Sequence, residues 1–306
     1  MATKLEHFPE SLGTPLQRYL DYLKNERGYS RHTLSSYQRT LSNLAQFLYS
    51  QEVLLWRAVS SETLKLWVLE FRKAQLKPAS IQAKISSAKG LFKFLLQKQI
   101  TDTDPSELLT APKSGRALPK NLAVDEMNLL LSFVPETTIE YRDKAILELF
   151  YSSGLRLSEL ATLTLSSIDL DDKQVRVLGK GNKERVLPVG RMSIQALKDW
   201  LKYRSEFNKH QIDALFISKL GNPISIRQID QRLKYWAQHQ GVHDVVHPHK
   251  LRHSFASHML ESSGDLRAVQ ELLGHQNLST TQIYTHLDYQ HLASVYDSAH
   301  PRAKKK

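Results

Sequence analysis

The chain has 306 residues and a formal net charge of +11, from 42 Lys or Arg against 31 Asp or Glu. This length allows about two domains with substantial cores. Cysteine is absent, which excludes disulfides and thiolate metal sites. The sequence has no apolar run approaching about eighteen residues and no apolar N-terminal segment, so it predicts a soluble, untargeted protein. The positive charge indicates either a polyanionic partner or a solvated basic surface.

Apolar residues at helical spacing predict four helices in the first hundred residues. Ser30 is the predicted N-cap of the second helix, and the third helix follows Ser61. From residue 71 to residue 101 the chain carries seven Lys or Arg and no Asp or Glu. Such a one-signed face suits contacts with DNA phosphates, and an ordinary solvated helix face is the alternative. The candidate DNA contacts are Arg31, Arg39, Lys84 and Lys89.

Residues 102–120 interrupt the helical pattern with prolines at 105, 112 and 119, a glycine at 115 and acidic residues at 102 and 104. This composition is typical of an interdomain connector. A connector between two basic domains would let them close around DNA.

Helical periodicity returns at Val124, with Asp125 as a predicted cap. A second helix from Arg142 to Phe150 is expected to end at Ser153 and Gly154. Arg156 then falls in the first turn of the next helix, where the helix dipole disfavours a cation. Its position therefore favours a functional role, and a salt bridge to the residue three positions on, Glu159, is the alternative.

Three segments rich in β-branched residues or leucine, 168–170, 174–178 and 185–189, predict a three-stranded antiparallel sheet. Lys180 lies between two glycines in the second turn, where a mobile loop would carry its ammonium group into a groove of DNA or into an active site. Glycine-flanked lysines are also common in plain surface turns.

Further helices are predicted over 193–203 and 225–240, and the next contains His249 and Arg252. These two residues are three apart, opposite a stripe formed by Leu251, Phe255 and Met259, so they project together from one helix face. A histidine and a permanent cation therefore share a site.

The following helix is predicted to start at Asp265 and to stop at Gly274, which places His275 in a tight corner. Ser279 with the glutamine three residues later fits a capping box, and Tyr284 falls within the second turn of the helix that this box starts. A phenolic hydroxyl is thus expected near imidazoles and a guanidinium. A short helix over 291–299 is predicted to dock on a neighbouring protomer, because it has little core of its own to join.

This set of side chains suits phosphoryl transfer without a metal. Arginine binds phosphate oxygens bidentately, histidine donates or relays protons, and a tyrosine near cations can act as the nucleophile. Taken alone, Tyr284 could instead be a half-buried anchor. His249 and His253, four apart, could also suggest a metal pair, but Lys250 and Arg252 crowd that position with positive charge.

Read together, H-x-x-R at 249–252, Gly274 with His275, and a tyrosine nine residues later resemble the signature of the tyrosine recombinases, or phage integrase family. The segments GLRLSEL, GKGNKER and HPHKLRHSFASHML resemble motifs of the Xer group. The Xer group contains two subtypes that act together. The ending at 287–303 resembles the subtype that acts with XerD-type recombinases, rather than the XerD type itself.

The resemblance implies a mainly α protein: a four-helix core-binding, DNA-binding domain (8–101), a linker (102–116), a mostly helical catalytic domain with a small three-stranded antiparallel sheet (117–297) and a basic tail (298–306). Transferred residue by residue, it makes Arg156 and Arg252 phosphate ligands, Lys180 the proton donor to the leaving 5′ oxygen, and His249 an acid or base. His275 fits the family's His or Trp position, and Tyr284 the nucleophile.

The implied reaction is DNA strand exchange through a 3′-phosphotyrosyl intermediate, with no metal, ATP or other cofactor. Implied partners are double-stranded DNA with a dif-like site, a XerD-type recombinase in a two-plus-two heterotetramer, and an FtsK-type translocase. The implied role is resolution of chromosome and plasmid dimers in the cytoplasm. Three alternatives stay open from the residues: a type IB topoisomerase, a catalytically silent DNA-binding protein and a metal-dependent hydrolase.

Overall fold

The computed structural model describes residues 9–111, 121–178, 184–274 and 286–303, apart from the side chains of 286–288, 290 and 291. The chain divides into two compact units, Met1–Ala117 and Leu118–Lys306. The described helices of the first unit are α1 (Glu10–Asn25), α2 (Arg31–Ser50), α3 (Ser61–Lys73) and α4 (Pro78–Gln97). Those of the second are α5 (Val124–Leu130), α6 (Thr138–Ser153), α7 (Leu157–Ala161), α8 (Arg191–Tyr203), α9 (Ile226–His239), α10 (Pro248–Ser263), α11 (Leu266–Leu273) and α12 (His286–Ala299).

The N-terminal unit is a bundle of four helices around an aromatic core. Trp56, Trp67 and Phe92 are almost completely buried, and both indoles keep a hydrogen-bond partner. Trp56 Nε1 donates to the carbonyl of Leu12 (3.1 Å) and Trp67 Nε1 to Asn43 Oδ1 (3.0 Å). The four predicted helices are confirmed, as is the Ser30 cap, whose Oγ accepts from the backbone N–H of Thr33.

The predicted connector is wrong for residues 102–111, which fold onto this bundle. Leu109 is buried in its core, Ser61 Oγ donates to the carbonyl of Pro105 (2.9 Å), and Lys89 Nζ donates to the carbonyl of Glu107 (3.0 Å). A proline-rich composition marks the end of helical structure, but it does not exclude packing by the apolar residues in between. Residues 112–120 lie outside the described part of the chain.

The C-terminal unit is built around α6, which is buried from Arg142 to Ser153 except at Lys144. The three-stranded antiparallel sheet is confirmed, with β1 (Ile168–Asp169), β2 (Gln174–Leu178) and β3 (Glu184–Pro188) in the order β1-β2-β3. Val177 pairs with Arg185 and Leu178 with Glu184 at the end of the hairpin. The predicted fold class, mainly helical with one small sheet, is therefore confirmed.

Two local predictions in this unit are wrong. Asp125 does not cap α5; Glu126 does, because its carboxylate accepts from the N–H of Ala123 (2.9 Å). The last helix, α12, does not need a neighbouring protomer, because Tyr296 is fully buried in its own unit. Tyr296 Oη shares a 2.6 Å hydrogen bond with Ser152 Oγ on α6.

The segment after α12 is also held within the unit. His300 is buried, and the guanidinium of Arg302 forms an ion pair with Glu148, a carboxylate with no exposed surface. The basic tail predicted from residue 298 onward is therefore anchored as far as Arg302. Across the described ranges, no helix is both long and apolar enough to cross a lipid bilayer.

Candidate active site

The site begins where α6 ends, at Gly154. This residue has φ +54° and lies so close to Phe255 of α10 that an added Cβ would come within 2.3 Å of the ring. Only glycine meets both demands without strain. The close approach turns the Gly154 carbonyl toward α10, where it accepts a hydrogen bond from Arg252 Nη1.

Arg156, two residues later, is the N-cap of α7 rather than part of its first turn. Its guanidinium donates through Nη1 to Glu159 Oε1 (2.8 Å) and through Nη2 to the carbonyl of Gly274 (3.3 Å). The side chain stays 39% exposed. The salt bridge to Glu159 is thus real, and it holds the arginine while leaving part of its fork open to a ligand.

Glu159 is the buried anion of the site. Burial acts to raise its pKa, but hydrogen bonds from Arg185 and from the N–H of Arg156 outweigh that effect, and the pKa is lowered. The group is therefore ionised at neutral pH and stabilises two guanidinium groups.

Helix α10 supplies the second half of the site. Leu251, Phe255 and Met259 are completely buried, which confirms the predicted stripe and leaves His249 exposed on another face. The helix is capped by His247, whose Nδ1 accepts from the N–H of Lys250 (3.1 Å). Burial first, and then the neighbouring His249, lower the pKa of His247, consistent with a neutral ring that accepts a hydrogen bond.

Arg252 is tied to backbone carbonyls at both ends of its guanidinium, Gly154 on one side and Leu273 on the other. Burial lowers its pKa to about 10, and the nearby charge of Arg156 contributes in the same direction. It remains protonated at neutral pH. The lowered pKa of Arg252 therefore reflects mainly the burial of its guanidinium and, after that, the closeness of a second cation.

The two arginines converge on one place, the C-terminal end of α11. Arg252 binds the carbonyl of Leu273 and Arg156 binds the carbonyl of Gly274, the next residue. Carbonyls at a helix end have no partner in the helix and carry partial negative charge, so they hold cations well. Adjacent guanidiniums have the donor geometry that suits an anion such as phosphate.

The structure therefore brings Arg156 and Arg252 together and places His249 one helical turn before Arg252. Three predicted residues, Lys180, His275 and Tyr284, lie outside the described part of the chain. The predicted N-cap at Asp265 and stop at Gly274, which lead to His275, are confirmed. In the described ranges, no cluster of three or more His, Asp or Glu side chains could hold a metal ion.

Sequence reasoning missed Arg185, which is 7% exposed. It lies on β3 two residues before Leu187, on the buried face of the sheet. A signal was present, because residues two apart on a strand face the same side, and a buried arginine requires an anionic partner.

Among the candidate DNA contacts, Arg39 on α2 and Lys84 on α4 lie near each other. Burial first, and then the charge of Arg39, lower the pKa of Lys84, whose ammonium lies 4.7 Å from the centre of the Phe71 ring. Arg31, the first residue of α2, is exposed. Lys89 is engaged instead with the backbone of residue 107.

Comparison with known proteins agrees with this geometry. Residues 120–291 match the model of the phage integrase family, and residues 16–99 match its N-terminal SAM-like domain. The chain belongs to the phage integrase family, the tyrosine recombinases, and is an enzyme of the site-specific DNA recombinase class.

Among individual relatives, the chain is 51% identical to tyrosine recombinase XerC of Haemophilus influenzae, covering 96% of this chain and 99% of that protein. It is 50% identical to the XerC of Shewanella amazonensis over 95% and 97% of the two chains. The predicted resemblance is therefore confirmed.

Solved structures share the fold at lower identity. A structure of the XerH recombinase bound to a palindromic difH substrate has a TM-score of 0.67 at 21% identity, covering 92% of this chain and 84% of that one. A lambda integrase dimer bound to a COC′ core site has a TM-score of 0.65 at 18% identity, covering 89% and 98%.

Proposed function

We propose that this protein exchanges DNA strands through a covalent bond between Tyr284 and a 3′ phosphate. The observation that carries the proposal is the convergence of Arg156 and Arg252 on adjacent carbonyls at the end of α11. Two fixed guanidiniums that bind the carbonyls directly before His275 in the sequence suit a phosphodiester, whose non-bridging oxygens gather charge as it is attacked.

In the proposed reaction, the phenolic oxygen of Tyr284 attacks phosphorus and the bond from phosphorus to the 5′ oxygen breaks. The phenolic proton passes to a base, for which exposed His249 and His275 are the candidates, and Lys180 protonates the departing 5′ oxygen. A 5′-hydroxyl from the partner duplex then reverses these steps. One phosphoester bond replaces another each time, so the reaction needs no ATP, and the arginines take the role that a metal ion would otherwise fill.

The two units would divide the work. Residues 8–101 would bind duplex DNA through the basic face that includes Arg39, Lys84 and Arg31, and residues 117–297 would carry out catalysis. Of the predicted linker, 102–116, only the part beyond residue 111 would link the units, because 102–111 fold onto the bundle. The contact between Lys89 and the backbone of residue 107 favours a role in holding the bundle together. The end of the chain, 298–306, would follow the catalytic domain.

The similarity to XerC proteins over nearly the whole chain supports a cellular role. The protein would act in the cytoplasm with a XerD-type recombinase, as two copies of each on a dif-like site, and resolve chromosome and plasmid dimers when an FtsK-type translocase activates the assembly. Strand exchange between two duplexes distinguishes this role from that of a type IB topoisomerase.

The test is to mix the protein, in EDTA, with a duplex that carries a Xer-type site and a nick next to the scissile phosphate, and then to separate the products on a denaturing gel. The nick traps the covalent intermediate. We expect a protein–DNA band that disappears in Tyr284→Phe.

Tyr289→Phe is the matched control, because burial raises the pKa of Tyr289 to about 12 and its phenol stays protonated. The band should survive this change. A band that persists in Tyr284→Phe would exclude Tyr284 as the nucleophile. If wild type forms no band either alone or with a XerD-type partner, although it binds the duplex, the protein only binds DNA.

A further inference from the structure

Arg185 makes a two-point contact with the anion of the site. Nη1 donates to Glu159 Oε1 (2.9 Å) and Nη2 donates to Glu159 Oε2 (2.8 Å). Both side chains are less than a tenth exposed. A bidentate pair of this kind fixes the orientation of the carboxylate as well as its charge.

The same carboxylate holds Arg156 at two points. Oε2 accepts from the backbone N–H of Arg156 and Oε1 accepts from its Nη1, both at 2.8 Å. Each oxygen of Glu159 is therefore shared between the two arginines. Without Arg185, the carboxylate would lose the contacts that stop it from turning, and Arg156 would lose a rigid support.

Arg185 also lies against the second support of Arg156, Gly274. A Cβ added to Gly274 would lie 3.2 Å from Arg185 Nε and 3.4 Å from its Cδ, and the Gly274 carbonyl is the one that accepts from Arg156 Nη2. Within the described residues, Nε of Arg185 is buried and has no hydrogen-bond partner.

We infer that Arg185 is a positioning residue for Arg156, acting through Glu159 and Gly274 without touching DNA. This inference rests on the proposed function, in which Arg156 binds the scissile phosphate. Displacing a reacting group by about 1 Å can cost about 100-fold in rate. Arg185→Lys keeps the charge but loses the bidentate contact, and we expect it to slow single-turnover cleavage by about 10- to 100-fold while DNA affinity is retained.

The experiment compares two substrates, a normal scissile phosphodiester and a methylphosphonate, which replaces one charged non-bridging oxygen with a methyl group. A guanidinium that neutralises this charge matters less on the neutral substrate, so Arg156→Ala should lose less activity on one of the two methylphosphonate diastereomers than on phosphate. Arg185→Lys and the isosteric Glu159→Gln should likewise lose less activity on that same methylphosphonate diastereomer than on phosphate. We call this pattern the selective loss on phosphate.

Arg204→Gln is the matched control. Arg204 is as buried as Arg185, 6% against 7% exposed, but its guanidinium donates to the carbonyls of Ile212, Ala214 and Leu215 and so braces a loop. Any loss caused by general damage to the unit should be equal on the two substrates. Thermal unfolding of each variant checks that it is folded, and Glu159→Gln provides the test if Arg185→Lys does not fold.

Three results would overturn the inference, and they separate a failure of the positioning role from a failure of the proposed function of Arg156. If Arg156→Ala shows the selective loss but Arg185→Lys and Glu159→Gln cleave like wild type, the positioning role is wrong and the proposed function stands. The same conclusion follows if their losses are equal on both substrates. If Arg156→Ala itself cleaves like wild type, the phosphate-binding role of Arg156 is wrong and the inference falls with it.

Discussion

In the described part of the N-terminal unit, every buried polar residue is a serine or a threonine, whereas the C-terminal unit buries whole charges. Among its described residues, the buried charged ones are Arg142, Asp143, Glu148, Glu159, Arg185, Arg204 and Lys250. The first unit has an apolar core and carries its charges at the surface, where residues 71–101 include seven Lys or Arg and no Asp or Glu. The second uses buried carboxylates to hold arginines at fixed positions. A basic surface suits non-specific electrostatic contacts with many phosphates. An internal ion network suits a contact of fixed geometry with one phosphate.

The largest expected effect comes from breaking a buried network. Asp143 has no exposed surface and accepts from Arg142, Arg232 and Trp236. Asp143→Ala would leave the Arg142 charge buried without its partner and should lower the free energy of unfolding by about 3–5 kcal/mol. Chemical denaturation measures this loss.

The matched change in the other unit is Asp21→Ala, since Asp21 is exposed and accepts only a side-chain hydrogen bond from Gln17. Its effect should stay within about 0.5 kcal/mol. Equal losses for the two variants would contradict the contrast between the units.

The second prediction concerns the glycine at the site. Gly154→Ala combines a positive φ with a clash against Phe255, whereas Gly264, at the end of α10, has φ +68° and nothing within 4 Å of an added Cβ. Gly264→Ala should cost about 1 kcal/mol of stability from backbone strain alone. Gly154→Ala should cost about 1–3 kcal/mol more and should also slow cleavage, because the Gly154 carbonyl holds Arg252. Similar stability and cleavage for the two variants would contradict the close packing at Gly154.

The third prediction concerns pH. Burial lowers the pKa of His300 to about 3, below the value of about 6.5 expected in the unfolded chain. Between these values the unfolded state binds a proton that the folded state does not, so stability falls as the pH falls, by at most about 1.4 kcal/mol per pH unit. His300→Asn removes the imidazole that takes up this proton when the chain unfolds. The melting temperature of wild type should therefore drop more steeply from pH 6.5 to pH 4 than that of His300→Asn, and parallel curves would show that His300 is not buried as a neutral ring.

The smallest effect is expected on the basic surface. If Arg39 contacts a phosphate, Arg39→Gln should reduce the slope of log affinity against log salt concentration by about one. Lys65 on α3, which lies 4.0 Å from Glu62, is the control, and Lys65→Gln should leave the slope unchanged. Titrations of DNA binding at several salt concentrations measure both slopes, and an unchanged slope for Arg39→Gln would remove it from the contact surface.

Local signals in the sequence predicted most of the fold, because they depend on residues a few positions apart. The caps at Ser30 and Asp265, the stop at Gly274 and the periodicity of α1 to α4 are of this kind. The predicted joint projection of His249 and Arg252 from α10 holds only for His249, which is exposed, because Arg252 is half-buried and reaches the carbonyls of Gly154 and Leu273.

The errors arose where distant residues decide the structure. Docking of α12 depends on Ser152, 144 residues from Tyr296, and anchoring of Arg302 depends on Glu148, 154 residues away. Neither pairing leaves a local pattern. Arg185 could have been suspected from its strand face, but its partner, Glu159, is 26 residues earlier and becomes apparent only in the fold.

The central claim is that Arg156 and Arg252 together bind one phosphate in the transition state. The most direct measurement is the single-turnover rate of covalent complex formation on nicked DNA for Arg156→Gln and Arg252→Gln, at saturating protein. The control is Arg267→Gln, whose side chain is exposed on α11 and pairs with Glu271. We predict a loss of about 10²–10³-fold for each site variant and a wild-type rate for the control. Wild-type rates for both site variants would contradict the account.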